Sequence, residues 1–132
     1  MNHGVLCGLW LLTSALILQQ AWSRQQAGVS QVSAEQAIQL MNQASALVLD
    51  IRTEAAFAEG HLLGALNIST DLLHQKMGLL ERHRQHPIIV VCQMGQQAQQ
   101  AADHLKQQGF NALVLAGGIQ QWRATHLPLF RS

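Results

Sequence analysis

Two cysteines occur in the 132-residue chain, and only one stands where a thiol could react. Cys7 lies inside an apolar N-terminal run, where a partner from a folded domain could hardly reach it, so no disulfide framework is expected. Cys92 closes the run "IIVVC" and opens the stretch "CQMGQQ". Taken alone, a single thiol after an apolar run reads as a small buried hydrophobe. Its surroundings argue otherwise. A buried strand ending at Cys92 and feeding a helix that begins near Ala98 would put the sulfur at the carboxyl edge of a parallel sheet, where such folds bind ligands. The connecting loop contains Gly95, so its backbone N–H groups can curl around one point, and the positive end of the helix dipole adds to them. A thiolate or another anionic sulfur is favoured there. Gln93, Met94, Gly95, Gln96 and Gln97 are then the substrate-binding loop, and none of them is cationic.

The remaining chemistry-bearing side chains read as support. Asp50 and Arg52 end the run "ALVLDIR"; they are expected to point in opposite directions and to tie loops together, which argues against a catalytic acid and clamp. His61 follows Gly60 in a turn and is expected to hydrogen-bond backbone. His74, His83, His86, His104 and His126 share no metal-ligand spacing with Cys92, so neither a metal nor another cofactor is expected. Gly117-Gly118 fits no nucleotide-binding pattern, and a turn before a short helix is enough to explain it. Trp122 reads as a core anchor.

The elements that must position Cys92 alternate between two periods. "VSQVSAEQAIQLMNQ" holds a capping box, Ser33 with Gln36, ahead of a helix over about Ala34 to Gln43 whose Ala37, Leu40 and Met41 form a core face. "ALVLDIR" and "IIVVC" are short apolar runs of the kind buried on both faces of a parallel sheet. Between them come a helical turn to Glu59 with a Gly60 stop, a strand around Ala65 to Ile68, and an amphipathic helical stretch expected to break at Gly78. "AQQAADHLKQQ" is a helix with Ala101, Ala102 and Leu105 inward, ended by Gly109, and "NALVL" supplies one more strand. Strands alternating with helices predict an α/β fold, a parallel sheet with helices on both faces. Eight Lys and Arg against seven Asp and Glu leave a formal charge of +1, so nothing in the charge balance recruits nucleic acid.

Three motifs in order carry a family resemblance. "LVLDIRTEAAFAEGHLLGALNI", "IIVVCQMGQQA" and "LAGGIQQWRATHLPL" resemble the rhodanese pattern: a strand ending Asp-x-Arg, a Phe, Gly-His and Gly-Ala-x-Asn; a strand and Cys-x-x-Gly loop; a closing Leu-x-Gly-Gly-x-x-x-Trp. The matching positions are Asp50, Arg52, Phe57, Gly60, His61, Gly64, Ala65 and Asn67, then Cys92 and Gly95, then Gly117, Gly118 and Trp122. The likeness spans about Val29 to Pro128. It implies a rhodanese-like fold and sulfur transfer, with Cys92 carrying sulfane sulfur as a persulfide from a small-molecule or protein donor to a thiol or other thiophilic acceptor. Many single-domain members have Arg at the sixth loop position, followed by Ser or Thr, where this chain has Gln97 and Ala98; thiosulfate should therefore be a weaker donor here. The phosphatases that share the fold use Cys-x5-Arg, whose Arg would fall on Ala98, which argues against phosphatase chemistry. The rival from another class is a rhodanese-like module that binds a partner or senses redox state without turnover.

Residues 1–23 read as a targeting segment, 24–28 as a polar linker and 29–132 as the domain. From Gly4 to Leu18 there is no charge, a stretch long enough for a signal-peptide core and short of the ~20 residues of a full span. Ala21-Trp22-Ser23 offers a cleavage site, and the length favours export to the periplasm. The n-region "MNH" lacks Lys or Arg and Arg24 follows the cleavage site closely, which favours the alternatives: an uncleaved inner-membrane anchor over residues 4–22 with the domain facing the cytoplasm, or a hydrophobic N-terminal helix of the fold. Cleavage predicts a mature chain starting at Arg24 in a soluble envelope fraction. N-terminal sequencing after fractionation checks it, and a full-length chain in the membrane pellet would refute it.

Overall fold

The computed structural model describes residues 12–16, which are helical, and residues 29–132. The expected cleavage site and linker lie outside the described residues, as does Cys7. No helix among the described residues is long and apolar enough to cross a membrane.

Five strands, β1 (Gln31–Val32), β2 (Leu47–Asp50), β3 (Leu66–Asn67), β4 (Ile88–Val91) and β5 (Ala112–Leu115), form one parallel sheet in the order β1-β5-β4-β2-β3. The most apolar segment, β4, takes the centre, with all four residues buried. Helices α1 (Ala34–Gln43), α2 (Glu54–Glu59), α3 (Thr70–Leu73), α4 (Gln96–Gln107) and α5 (Gly118–Ala124) connect them, together with a 3-10 helix at Met77–His83. The expected α/β architecture, with helices on both faces of a parallel sheet, is the observed one.

Side-chain alternation along the strands divides the core into two layers. On one face Leu49, Ile88, Val90 and Val114 pack with Ala98, Ala101, Ala102 and Leu105 of α4 and with Leu73 and Leu80. On the other, Val48, Ile89, Val91 and Leu115 pack with Ala37 of α1 and with Ile119 and Trp122 of α5. Cys92 continues the parity of Ile88 and Val90 and joins the α4 layer. The three inward alanines of α4 let the helix axis come close to the sheet, which brings its first turn against the end of β4.

Local chemistry sets the boundaries. Ser33 Oγ accepts from the Gln36 backbone at 3.1 Å while Gln36 Oε1 accepts from the Ser33 N–H at 2.9 Å, the capping box read from the sequence. Trp122 is buried, its indole N–H donating to the Pro128 carbonyl at 3.2 Å. The break expected at Gly78 falls elsewhere: α3 stops at Leu73 and Gly78 sits inside the 3-10 helix, with Leu73, Met77 and Leu80 all reaching the same core layer. Strand β1 was not anticipated, since two residues carry too little alternation to register. Arg84 ties the 3-10 segment to the far end of α4, donating to the Gln108 carbonyl at 2.8 Å and lying 4.1 Å over the Phe110 ring. Glu81 holds the same guanidinium at 2.7 Å, and this hydrogen bond keeps the Glu81 carboxyl below its usual range.

Candidate functional site

Cys92 sits one residue past β4, and its Sγ is the meeting point of two backbone donors. The Gly95 N–H lies 2.9 Å from it and the Ala98 N–H 3.3 Å. The first comes from the tight loop, where Gly95 adopts φ 102°, a left-handed conformation that favours glycine. The second comes from the first turn of α4, whose N–H groups have no partner within the helix. Helix α4 begins at Gln96 with Gly95 as its N-cap, two residues earlier than expected. Gln96 and Gln97 are therefore first-turn residues and not loop residues, with the helix starting as soon as the αL turn allows. Their side chains, with those of Gln93 and Met94, are exposed around the sulfur, while Cys92 itself is 2% exposed. None of these four side chains is charged, so the electrostatics they leave at the sulfur are those of the backbone dipoles.

Ala98 is fully buried. The position that the Cys-x5-Arg pattern gives to an arginine is held here by this buried alanine.

The second group expected to support the site does so by a different geometry. Asp50 and Arg52 do not point apart: Arg52 donates to the Asp50 carboxylate through Nε (3.0 Å to Oδ1) and Nη2 (2.8 Å to Oδ2), and its backbone N–H donates to Oδ1 at 3.0 Å. Residues two apart on extended chain share a side, which is the reason the expectation failed. Nη2 also donates to the Gly60 carbonyl, so the pair ties the end of β2 to the end of α2. Asn67 closes the group, its amide donating to the Asp50 and Arg52 carbonyls at 3.0 Å each. His61 bonds backbone as expected, with Nδ1 2.8 Å from the Phe57 carbonyl and its ring stacked on Phe57 at 3.9 Å. The backbone of His61 pairs with Phe130. Since Ile51 donates to the Val91 carbonyl, this network anchors the strand beside the one that carries Cys92 and does not touch the sulfur.

A third support escaped the sequence reading. The Ile119 N–H donates to the Cys92 carbonyl and the Gln120 N–H to the Gln93 carbonyl, both at 3.0 Å. A Cβ on Gly95 would lie 3.4 Å from the Gly117 nitrogen, so the two turns are in contact. The signal was the adjacent glycine pair, which was read as a turn only. Two clefts, of about 670 and 470 Å³, lie by the C-terminal tail and between α2 and α3; Cys92 lines neither. Among the described residues no cluster of His, Cys, Asp and Glu is placed to hold a metal.

A central parallel sheet, a cysteine at the end of its middle strand and a backbone cradle at the head of the next helix define a class, and the comparisons agree with it. The family model for the Rhodanese-like domain matches residues 33–125, and the chain belongs to the rhodanese family. It is 30% identical to the uncharacterized protein YibN of Escherichia coli over 98% of this chain and 92% of that one. It is 38% identical to the thiosulfate sulfurtransferase GlpE of Pseudomonas putida over 70% of this chain and 83% of that one. The structure of a rhodanese-related protein from Thermoplasma volcanium superposes with a TM-score of 0.72 at 26% identity, covering 78% of this chain and 99% of that one.

The buried ion pair gives a stability prediction. Arg52→Ala leaves the fully buried Asp50 carboxylate without its counter-charge and should cost about 3–5 kcal/mol, read as a lower urea midpoint. A loss below about 1 kcal/mol, the scale of an exposed pair, would mean that the pair does not hold the two elements together.

Proposed function

We propose that the protein is a sulfurtransferase that carries sulfane sulfur on Cys92. The observation that carries this reading is the pair of backbone N–H groups on Sγ, which favour the attacking thiolate and the same thiolate when it is regenerated. The Cys92 thiolate attacks the outer sulfur of the donor; with thiosulfate the S–S bond breaks and sulfite leaves with its electron pair. The product is a Cys92 persulfide, whose outer sulfur is then taken by a thiolate or by cyanide, returning the Cys92 thiolate. No redox partner is required, because each step exchanges one bond to sulfur for another.

The relatives named thiosulfate sulfurtransferase support the reaction class. The uncharged rim sets the donor preference. Thiosulfate is a dianion, and Gln97 cannot form the bidentate charged contact that an arginine makes with its oxygens. A less charged sulfur compound or a protein persulfide fits this rim better.

Incubation of the purified protein with thiosulfate, a mercaptopyruvate-type donor and glutathione persulfide should add one sulfur to Cys92 by intact mass, with turnover when a thiol acceptor is supplied. A Cys92 that takes sulfur from none of them would favour the non-turnover binding or sensing module. Gln97→Arg should raise the specificity constant for thiosulfate by about tenfold to a hundredfold, the value of a charge-assisted hydrogen bond of roughly 1.5–3 kcal/mol, while leaving a neutral donor nearly unchanged. Equal gains for both donors would show that the new charge acts on the Cys92 sulfur and not on the substrate's oxygens.

A further inference from the structure

We infer that Gly118 is a positioning residue for the Cys92 loop, setting from the opposite face of the sheet the orientation of the peptide groups around the sulfur. The inference rests on the reading of Cys92 as the reacting residue.

The loop is held by two sets of bonds that pull on different atoms. On the α4 side, N–H groups meet Sγ. On the α5 side, the N–H groups of Ile119 and Gln120 take the carbonyls of Cys92 and Gln93. A trans peptide is planar, with its C=O and N–H directed oppositely. Fixing the Cys92 carbonyl on Ile119 therefore turns the Gln93 N–H away from α5, and fixing the Gln93 carbonyl on Gln120 turns the Met94 N–H away likewise. Helix α5 thus sets the direction of two loop dipoles without touching the sulfur.

Only glycine permits this approach. A Cβ on Gly118 would lie 2.3 Å from the Cys92 oxygen and 2.7 Å from the Gln93 oxygen, closer than real Cβ atoms come to anything. Both obstacles are backbone, so relief requires the loop or α5 to move. Gly118 also has φ +60°, which costs any L side chain backbone strain apart from the clash. Gly64 separates the two effects. It has φ +73° with nothing within 4 Å of a Cβ, so Gly64→Ala carries the backbone strain without the collision.

The test compares wild type, Gly118→Ala and Gly64→Ala by two readouts, the pH profile of Cys92 alkylation by iodoacetamide and the rate of sulfur transfer, with thermal unfolding as the check on folding. Gly118→Ala should alter the alkylation profile and lower kcat by about tenfold to a hundredfold, the scale of an ångström of misplacement at a reacting centre. Gly64→Ala should lose Tm and change neither readout. A folded Gly118→Ala with both readouts unchanged, or an equal change in Gly64→Ala, overturns the inference. Should Gly118→Ala not fold, Gln120→Pro decides: the substitution removes the N–H bound to the Gln93 carbonyl, which the first turn of the helix does not itself use, and an unaltered alkylation profile there overturns it. Alkylation needs no sulfur donor, so a wild-type protein that accepts no sulfur would refute the transferase reading while leaving the positioning inference to be decided separately.

Discussion

One sulfur atom, fixed at once by the end of a strand and the start of a helix, organises this molecule. The N–H groups of Gly95 and Ala98 can both reach Sγ only if three conditions hold together. Strand β4 must end at Val91, α4 must start within a few residues, and the chain between must reverse through a left-handed glycine. The inward alanines of α4 serve the same end, since a larger side chain at Ala98 or Ala102 would lift the helix from the sheet and withdraw its first turn. Much of what is ordinary about the fold, a buried parallel sheet under close-packed helices, is thus what a two-donor contact to one thiol requires.

Around that contact the supports are backbone-centred. Asp50 and Arg52 neutralise one another, and the guanidinium Nη2 also donates to the Gly60 carbonyl. Asn67 caps carbonyls at the end of β2. His61 is engaged by Phe57 through its ring and by the C-terminal tail through an isolated bridge to Phe130. None of these side chains is directed at the sulfur. Their common effect is to hold the carboxyl edge of the sheet, so that the loop's peptide dipoles stand in fixed positions.

Long or strongly periodic features were legible in the sequence. The run "IIVV" announced a central strand because no half-exposed strand could tolerate four apolar residues in a row, and Ser33 with Gln36 marked a helix start to the residue. The cradle could be inferred from a thiol, a nearby glycine and a following helix. What escaped depends on three-dimensional proximity between segments that are distant in sequence. Gly117-Gly118 looks the same whether it makes a free turn or fits against the Cys92 loop 25 residues upstream, and a two-residue edge strand such as β1 is defined by its partner β5 and not by its own pattern. The Asp50–Arg52 pair was misjudged for a simpler reason: on an extended chain the second neighbour, not the first, lies on the same side.

The parity of β4 has an evolutionary corollary. Because Cys92 shares a side with Ile88 and Val90, its allegiance to the α4 layer is written in whether the count from the strand's start is odd or even. Substitution can change the loop one residue at a time. Insertion or loss of a single residue within Ile88–Val91 is different in kind: it would carry the thiol through the sheet to the layer of Trp122, where no helix start awaits it. Lineages descending from this chain are therefore free to vary the loop, yet held to a fixed frame in the strand, so that the reading frame of the sheet and not the chemistry of the loop is the less forgiving inheritance.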